Sequence, residues 1–357
     1  MSDGTIRIAF LDVGQGDTIV ISLPEQREAV VVDCIDADAV LEYLKHEKIS
    51  TVRALILTHL HADHYREATA FLDNCERQLG ASCEKLILHP IPEKELPLAL
   101  SDDHSEANIP SAVKLKIFEQ LNCWMLRNHR LVDSPHASVE LPINGPLKQR
   151  IQFLHPFPAF LASARAAGFN NSSIVLRVIA AGVSALLTGD IEPVGWQLLK
   201  QNSATARLAK GDVLKFPHHG AWKKPNGHPS NTHALLDEVG AKTIVISVGT
   251  EQKNYNHPDA HVFKAIRERN VHLLCTEATK KCGGARVLKS RLKTLPKLEA
   301  QALSTGRSAF IPAEGCPCAG SIVIDLDSSV RILQPDPAKH RNEIVHKVFS
   351  KRHQCPD

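Results

Sequence analysis

Six residues, His59-Leu60-His61-Ala62-Asp63-His64, carry three imidazoles and one carboxylate. Polar groups at that density cost free energy in a folded interior unless they are paired or metal-bound. His59 and His61 are two residues apart, so on an extended segment their side chains point to the same side. Asp63 and His64 follow where the chain turns into the next element and can face a second ion. Nitrogen and oxygen donors of this kind suit zinc, and also manganese or iron. A chance surface cluster is the bland alternative, and the ligand density argues against it.

Six residues cannot close two metal sites alone. In Ala185-Leu-Leu-Thr-Gly-Asp190 an apolar strand ends on a carboxylate that can bridge two ions. In Val213-Leu-Lys-Phe-Pro-His218-His219-Gly220 another strand ends on paired histidines, and the motif leaves open which of the two is the ligand. Taken singly, Asp190 also reads as a helix cap and His219 as an ordinary turn residue. Taken together with the first cluster, they point to one site at the ends of several strands.

The elements that must position these groups are short apolar runs separated by helical patterns. Strands are expected at Thr5–Leu11, Thr18–Leu23, Ala29–Val32, Ala54–Thr58, Lys85–Leu88, Arg150–Leu154, Ser173–Ile179, Ala185–Leu187, Val213–Phe216 and Thr243–Val248, with Ser321–Leu326 as the last. Helices are expected at Ala39–Lys48, about 66–80, Val113–Arg130, 193–209, 230–239 and 259–269. Asp12–Asp17 carries the glycines of a tight hairpin turn. The 90–150 region breaks the pattern and reads as an inserted helical or lid region. Two strand-rich halves with interspersed helices imply a layered α/β protein whose sheets are covered on both faces.

Composition narrows the function classes. With 357 residues, 43% hydrophobic and 23% charged, the chain can bury a large core and is not a disordered one. No apolar run reaches the roughly 18 residues that span a bilayer, which argues against a membrane partner. The opening residues Met1–Ile8 show neither the basic segment nor the apolar stretch of a secretion signal, so the expected compartment is cytoplasmic. Nine cysteines, an odd number, then read as reduced thiols rather than a disulfide framework. The net charge of +3 is too small to mark a general polyanion binder. Locally, Lys280, Lys281, Arg286, Lys289, Arg291, Lys293 and Lys297 form a basic run with no acidic residue, and the tail 336–357 is also basic. Each is either a solvated segment or a surface that tracks phosphates.

These motifs resemble the metallo-β-lactamase superfamily: His59-x-His61-x-Asp63-His64, Thr188-Gly-Asp190 and His218-His219-Gly220. Within it, the chain is most similar to the metallo-β-lactamase domain of ComEC-type DNA-uptake (competence) proteins. That likeness is carried by Phe10-Leu-Asp-Val-Gly-Gln-Gly-Asp17, Asn170-Asn-Ser-Ser-Ile-Val-Leu-Arg177, Leu186-Leu-Thr-Gly-Asp190, Asp212-Val-Leu-Lys-Phe-Pro-His-His-Gly220 and Asn254-Tyr-Asn-His257-Pro258. It implies an αββα sandwich over residues 1–335, with the insertion at about 90–150, a basic loop at about 280–315 and a short C-terminal extension at 336–357. It covers about residues 5–280, apart from 90–150.

The resemblance also implies roles. His59 and His61 hold one metal, Asp63 and His64 the other; Asp190 bridges them and His218 completes the second site. His219 and His257 stand beside them as proton donors or contacts to a phosphoryl oxygen. Asp33 supports the ligand loop, and Asp12 and Gln15 belong to the opening loop. The implied cofactors are two divalent ions, Zn or Mn. The implied activity is hydrolysis by a metal-bound hydroxide, as a phosphodiesterase or nuclease on nucleic acid. Relatives that reduce oxygen at iron carry a glutamate at the place of His61, which argues against that branch.

Two departures bear on this. Many relatives have a further histidine where this chain reads Phe169-Asn-Asn-Ser, and His155 is not expected to replace it. The first metal is then weakly held, or one metal suffices. After Asp63-His64, Arg66 and Glu67 stand where many relatives have glycines, which alters access. The rival classes are a partner-activated metal-binding component of a DNA-handling or antiphage system, with a partner on 90–150 or the tail, and a hydrolase of a small phosphoester, lactone or thioester.

Overall fold

A computed structural model describes residues 4–80, 82–91, 95, 111–135, 137, 139–145, 148–224, 226–249, 257–279 and 318–335. Period-2 alternation explains the architecture. On β1 (Ile6–Phe10), Ile6, Ile8 and Phe10 point into an interior shared with a second sheet. On β3 (Glu28–Val32), Val30 and Val32 do the same, while Ala29 and Val31 face a helical layer. A strand apolar on both faces must be covered on both, and that requirement builds four layers.

The first sheet contains β1, β2 (Ile19–Leu23), β3, β4 (Thr51–Ile56), β5 (Leu86–Ile87) and β6 (Val132–Asp133), with β14 (Ile322–Leu326) and β15 (Val330–Gln334) beyond β1. The second runs from β7 (Glu140–Leu141) through β8 (Arg150–His155), β9 (Val175–Ala180), β10 (Val183–Leu187), β11 (Val213–Lys215) and β12 (Thr243–Ile246) to β13 (His272–Cys275). Strands β3 to β6 are mutually parallel, as are β10 to β13. Their C-terminal ends carry Asp33, His59, Asp190 and His219 in the connections that follow them.

Outside the first sheet lie α1 (Ala37–His46), the single turn α2 (Ala62–Tyr65), α3 (Ala68–Leu79) and α4 (Ser111–Arg127). Val40, Leu44, Phe71, Cys75, Phe118 and Leu121 from these helices share a core with Val31, Val52 and Leu55. Beyond α5 (Leu161–Ala166), the second sheet is covered by α6 (Pro193–Gln201), α7 (Ser203–Leu208), α8 (Thr232–Val239) and α9 (Ala260–Arg267). Trp196, Leu199, Leu235 and Ile266 pack there over Leu186, Leu214 and Ile244. The result is an αββα sandwich. None of the described helices is long and apolar enough to cross a membrane.

Several boundaries differ from the sequence expectation. Ser321–Leu326 is not the last strand: β15 pairs antiparallel with β14, and its alternating half-exposed residues hid it. The 193–209 helix is two helices, because the Asn202 side chain accepts from the backbone N–H of Ala204 at 2.9 Å and starts a new one. The described part of 90–150 contributes α4 to the outer layer and edge strands to both sheets. The basic run Lys280–Lys297 and the tail 336–357 lie outside the described residues.

Candidate metal centre

The histidine motif is held from behind. Where β4 ends, the Thr58 backbone N–H donates to Asp33 Oδ1 and its hydroxyl to Asp33 Oδ2, both at 2.7 Å. His64 Nδ1 lies 2.7 Å from Asp33 Oδ2, so that nitrogen carries the proton. The opening hairpin also reaches the motif: Asp17 N–H donates to the Asp63 carbonyl at 3.1 Å. Gly16 permits that approach, because with φ at +128° a Cβ there would lie 2.3 Å from the Asp63 oxygen.

His219 arrives differently. His218 and His219 both adopt left-handed backbone, with φ of 48° and 51°, a conformation that non-glycine residues keep only where surrounding structure enforces it. The tight turn sets His219 Nδ1 at 2.9 Å from the Ser247 carbonyl, after β12, so Nδ1 donates and Nε2 is left as the acceptor. Gly220 completes the turn, and a Cβ there would meet Pro258 Cβ at 2.5 Å.

Asp63, His64, Asp190 and His219 thereby bring one donor atom each within 4.8 Å of one another. Asp190 Oδ2 is 3.2 Å from both His64 Nε2 and His219 Nε2, and Asp63 Oδ2 is 3.3 Å from His219 Nε2. All four side chains are buried. Imidazole lone pairs facing carboxylate oxygens in a dry pocket repel unless a cation lies between them, so the donor set fits a divalent metal. Without a metal, protons take that place. Burial alone would lower His219, but Asp190 and Asp63 push it up to about 10. His64 is likewise raised against burial, by Asp190, Asp33 and Asp63. Asp190 is held well below the usual carboxylate range, because His219, His64 and Lys215 outweigh burial.

The other sequence candidates fall around this cluster. His59 and His61 are buried beside it, with the His59 ring centroid 4.2 Å from that of His64 and 4.6 Å from that of His61. Burial, then the charges of His64 and His61, keep His59 neutral. His218, to which the resemblance gave the ligand role, stands at the edge with its side chain 23% exposed and Nε2 3.9 Å from Asp190 Oδ2. It is His219 that enters the four-residue group. His257 stacks near His218, ring centroids 5.6 Å apart, and burial followed by the nearby histidines lowers it to about 3. His155 lies elsewhere, donating to the Asn171 carbonyl at 2.9 Å. Asp12 is not at the cluster; it is buried near Glu277, and burial and then that carboxylate raise it well above its usual range. Gln15 Oε1 accepts from Gly249 N–H at 3.2 Å. Arg66 and Glu67 turn to the start of α1, where Glu67 Oε2 accepts from Ala37 N–H at 2.8 Å and Arg66 reaches the Ile35 carbonyl at 3.5 Å.

Three groups escaped the sequence reading. Lys215 is fully buried and paired with Asp17 and Asp190. Burial would strip its charge, but Asp17 and Asp190 keep the ammonium protonated. Glu192 lies 3.3 Å from His218 Nδ1 and accepts from the Asn170 amide at 3.3 Å and the Asn171 amide at 3.1 Å. Those contacts give the two asparagines of the Phe169–Ser172 loop a structural role beside the cluster. Ser173, from the same loop, accepts from Asp190 N–H at 3.1 Å.

A family model described as the metallo-beta-lactamase superfamily matches residues 11–76. ComE operon protein 3 of Bacillus subtilis (strain 168) is 26% identical over 289 residues, covering 76% of this chain and 32% of that protein. Competence protein ComA of Neisseria gonorrhoeae is 31% identical over 108 residues, covering 30% of this chain and 14% of that protein. The chain thus spans about a third or less of the length of these relatives. Similar solved structures include a diphosphatase from the PhnP family, at 12% identity and a TM-score of 0.33 over 65% of this chain and 72% of that one. The short form of human tRNase Z has 13% identity and a TM-score of 0.37 over 67% and 90%. The sandwich itself rests on the two sheets described above. With the histidine motif inside the matched segment and its remaining partners assembled around it, this chain is similar to the metallo-β-lactamase superfamily over residues 11–76 and, over most of its length, to ComEC-type competence proteins.

Proposed function

We propose that the chain is a metal-dependent phosphodiesterase acting on nucleic acid, with Asp63, His64, Asp190 and His219 holding one divalent ion and His59 and His61 serving a second. The observation that carries this reading is the orientation of two imidazoles. His64 and His219 commit Nδ1 as donors to Asp33 and Ser247, so both Nε2 atoms face Asp190 Oδ2 at 3.2 Å. Asp190 then serves both sides of the site. When bound, the ions acidify a water and offset charge that builds on the phosphoryl oxygens.

The remaining chemistry belongs to the rim. His218 is the partly exposed imidazole, and Glu192 at 3.3 Å from Nδ1 orients it. Water adds to phosphorus and releases a proton to solvent, the bond to the leaving oxygen breaks, and that oxygen takes a proton from His218. Burial keeps His257 neutral beside it, suited to contacting a phosphoryl oxygen. Nucleic acid is favoured as substrate by the ComEC-type resemblance and by the basic run Lys280–Lys297.

The test is cleavage of linear, circular and single-stranded DNA, of RNA and of bis(p-nitrophenyl) phosphate with Mn²⁺, Zn²⁺ or Mg²⁺, with His61→Ala and Asp190→Ala as controls. Metal-dependent cutting lost in both variants supports the reading. Full metal occupancy with no phosphodiester cleaved would sink it and leave a small ester substrate or a partner-activated component.

A further inference from the structure

Lys215 ends β11 near the middle of the second sheet, and solvent reaches none of it. Its Nζ donates to the Gly189 carbonyl at 2.9 Å, lies 3.4 Å from Asp190 Oδ1 and forms an ion pair with Asp17 Oδ2. The two oxygens of Asp190 are therefore divided. Oδ1 faces the ammonium, and Oδ2 faces His64 and His219 at 3.2 Å. Behind Asp190, donor atoms of Asp17, Asp33 and His64 lie within 4.8 Å of one another, with His64 Nδ1 donating to Asp33. The Lys215 ammonium sits against that group through its ion pair with Asp17.

We propose that Lys215 is a positioning residue whose ammonium acts as a tethered cation, anchored on Asp17, that holds Asp190 with one oxygen turned to the metal cluster. Strand β11 supplies the rigidity: Leu187 of β10 pairs with Lys215, and the Thr188 hydroxyl donates to the Lys215 carbonyl at 2.7 Å. The backbone just before Asp190 and the ammonium that orients its side chain are thus fixed to one another. An aspartate free to rotate would present either oxygen to a metal, and partners behind a ligand commonly set affinity by roughly 10–100-fold. This inference rests on the divalent-metal reading.

The sign of the effect separates positioning from mere charge balance. A lysine that only offset negative charge would weaken metal binding, so Lys215→Met would bind metal more tightly. A positioning lysine gives the opposite result. In the full chain, Zn²⁺ affinity measured by chelator competition should fall roughly 10–100-fold in Lys215→Met, and the Co²⁺-loaded variant should show an altered d–d absorption spectrum. An affinity unchanged or raised, with an unaltered spectrum, overturns the proposal. If Lys215→Met does not fold, the parent chain labelled with ¹⁵N-lysine answers the same question. Its protected ammonium signal, assigned through cross-peaks to β11, should shift in step with Zn²⁺ uptake; a signal that stays in place overturns the proposal. A parent chain that binds no divalent ion fails at the earlier step, and the metal reading falls with this one.

Discussion

Asp33 Oδ2 accepts the Nδ1 proton of His64 at 2.7 Å, and both side chains are fully buried. The same carboxylate accepts the Thr58 N–H and hydroxyl, so one aspartate fixes both the start of the histidine motif and its last imidazole. Asp33→Ala leaves several buried donors without an acceptor, each at a cost of about 1–3 kcal/mol. Its Zn²⁺ affinity should drop by roughly 10–100-fold. Chelator competition measures the second effect and urea unfolding the first. A variant with parental affinity would show that His64 needs no support from behind.

The paired histidines should separate cleanly. His219→Ala removes a member of the metal group and should lower bound metal, as read by elemental analysis. His218→Ala and Glu192→Gln should keep the metal and lose phosphodiesterase rate by about 10²-fold or more, the usual contribution of a positioned acid. The reverse pattern, with metal lost in His218→Ala and retained in His219→Ala, would exchange the two roles.

Metal stabilisation should grow with pH. In the metal-free protein His219 is pushed up to about 10, against an unfolded value near 6.5. Its contribution to metal-free stability is complete below pH about 6.5 and is lost as pH rises toward about 10. Metal must displace that proton, so it binds more favourably as the proton leaves. Melting the chain with chelator and with Zn²⁺ across this window should give a Tm difference that widens with pH. A difference that stays flat would mean that no proton is exchanged for metal.

The opening hairpin should be sensitive at one glycine and tolerant at its neighbour. Gly14 and Gly16 both have positive φ, at +78° and +128°. A Cβ on Gly14 meets nothing within 4 Å, whereas one on Gly16 lies 2.3 Å from the Asp63 carbonyl and 2.9 Å from Ile35. Gly14→Ala should cost about 1–3 kcal/mol, the usual cost of a strained backbone. Gly16→Ala adds a backbone clash at the ligand loop, and should lose more stability and some metal affinity. Equal losses in urea unfolding would contradict the contact between hairpin and loop.

The sequence by itself determined the donor set of the candidate metal centre and the sandwich that carries it. His59, His61, Asp63 and His64 lie within six residues, so their convergence is local. Apolar runs ending at Asp190 and His219 are legible for the same reason: alternation marks a strand, and a polar group just past it marks a strand end. Only the tertiary structure decided which groups surround those donors. Lys215 is a lone charge within an apolar run in the sequence, yet Asp190, 25 residues away, and Asp17 of the opening hairpin enclose it. In the sequence Glu192 only precedes the helix expected at 193–209, whereas in the fold Asn170 and Asn171 hold it against His218. Which of His218 and His219 faces Asp190 from within the cluster depended on the left-handed turn at both residues and on the Ser247 carbonyl that follows a neighbouring strand. Burial and charge pairing between distant segments arise when the two sheets close on one another, and no periodicity within either segment encodes them.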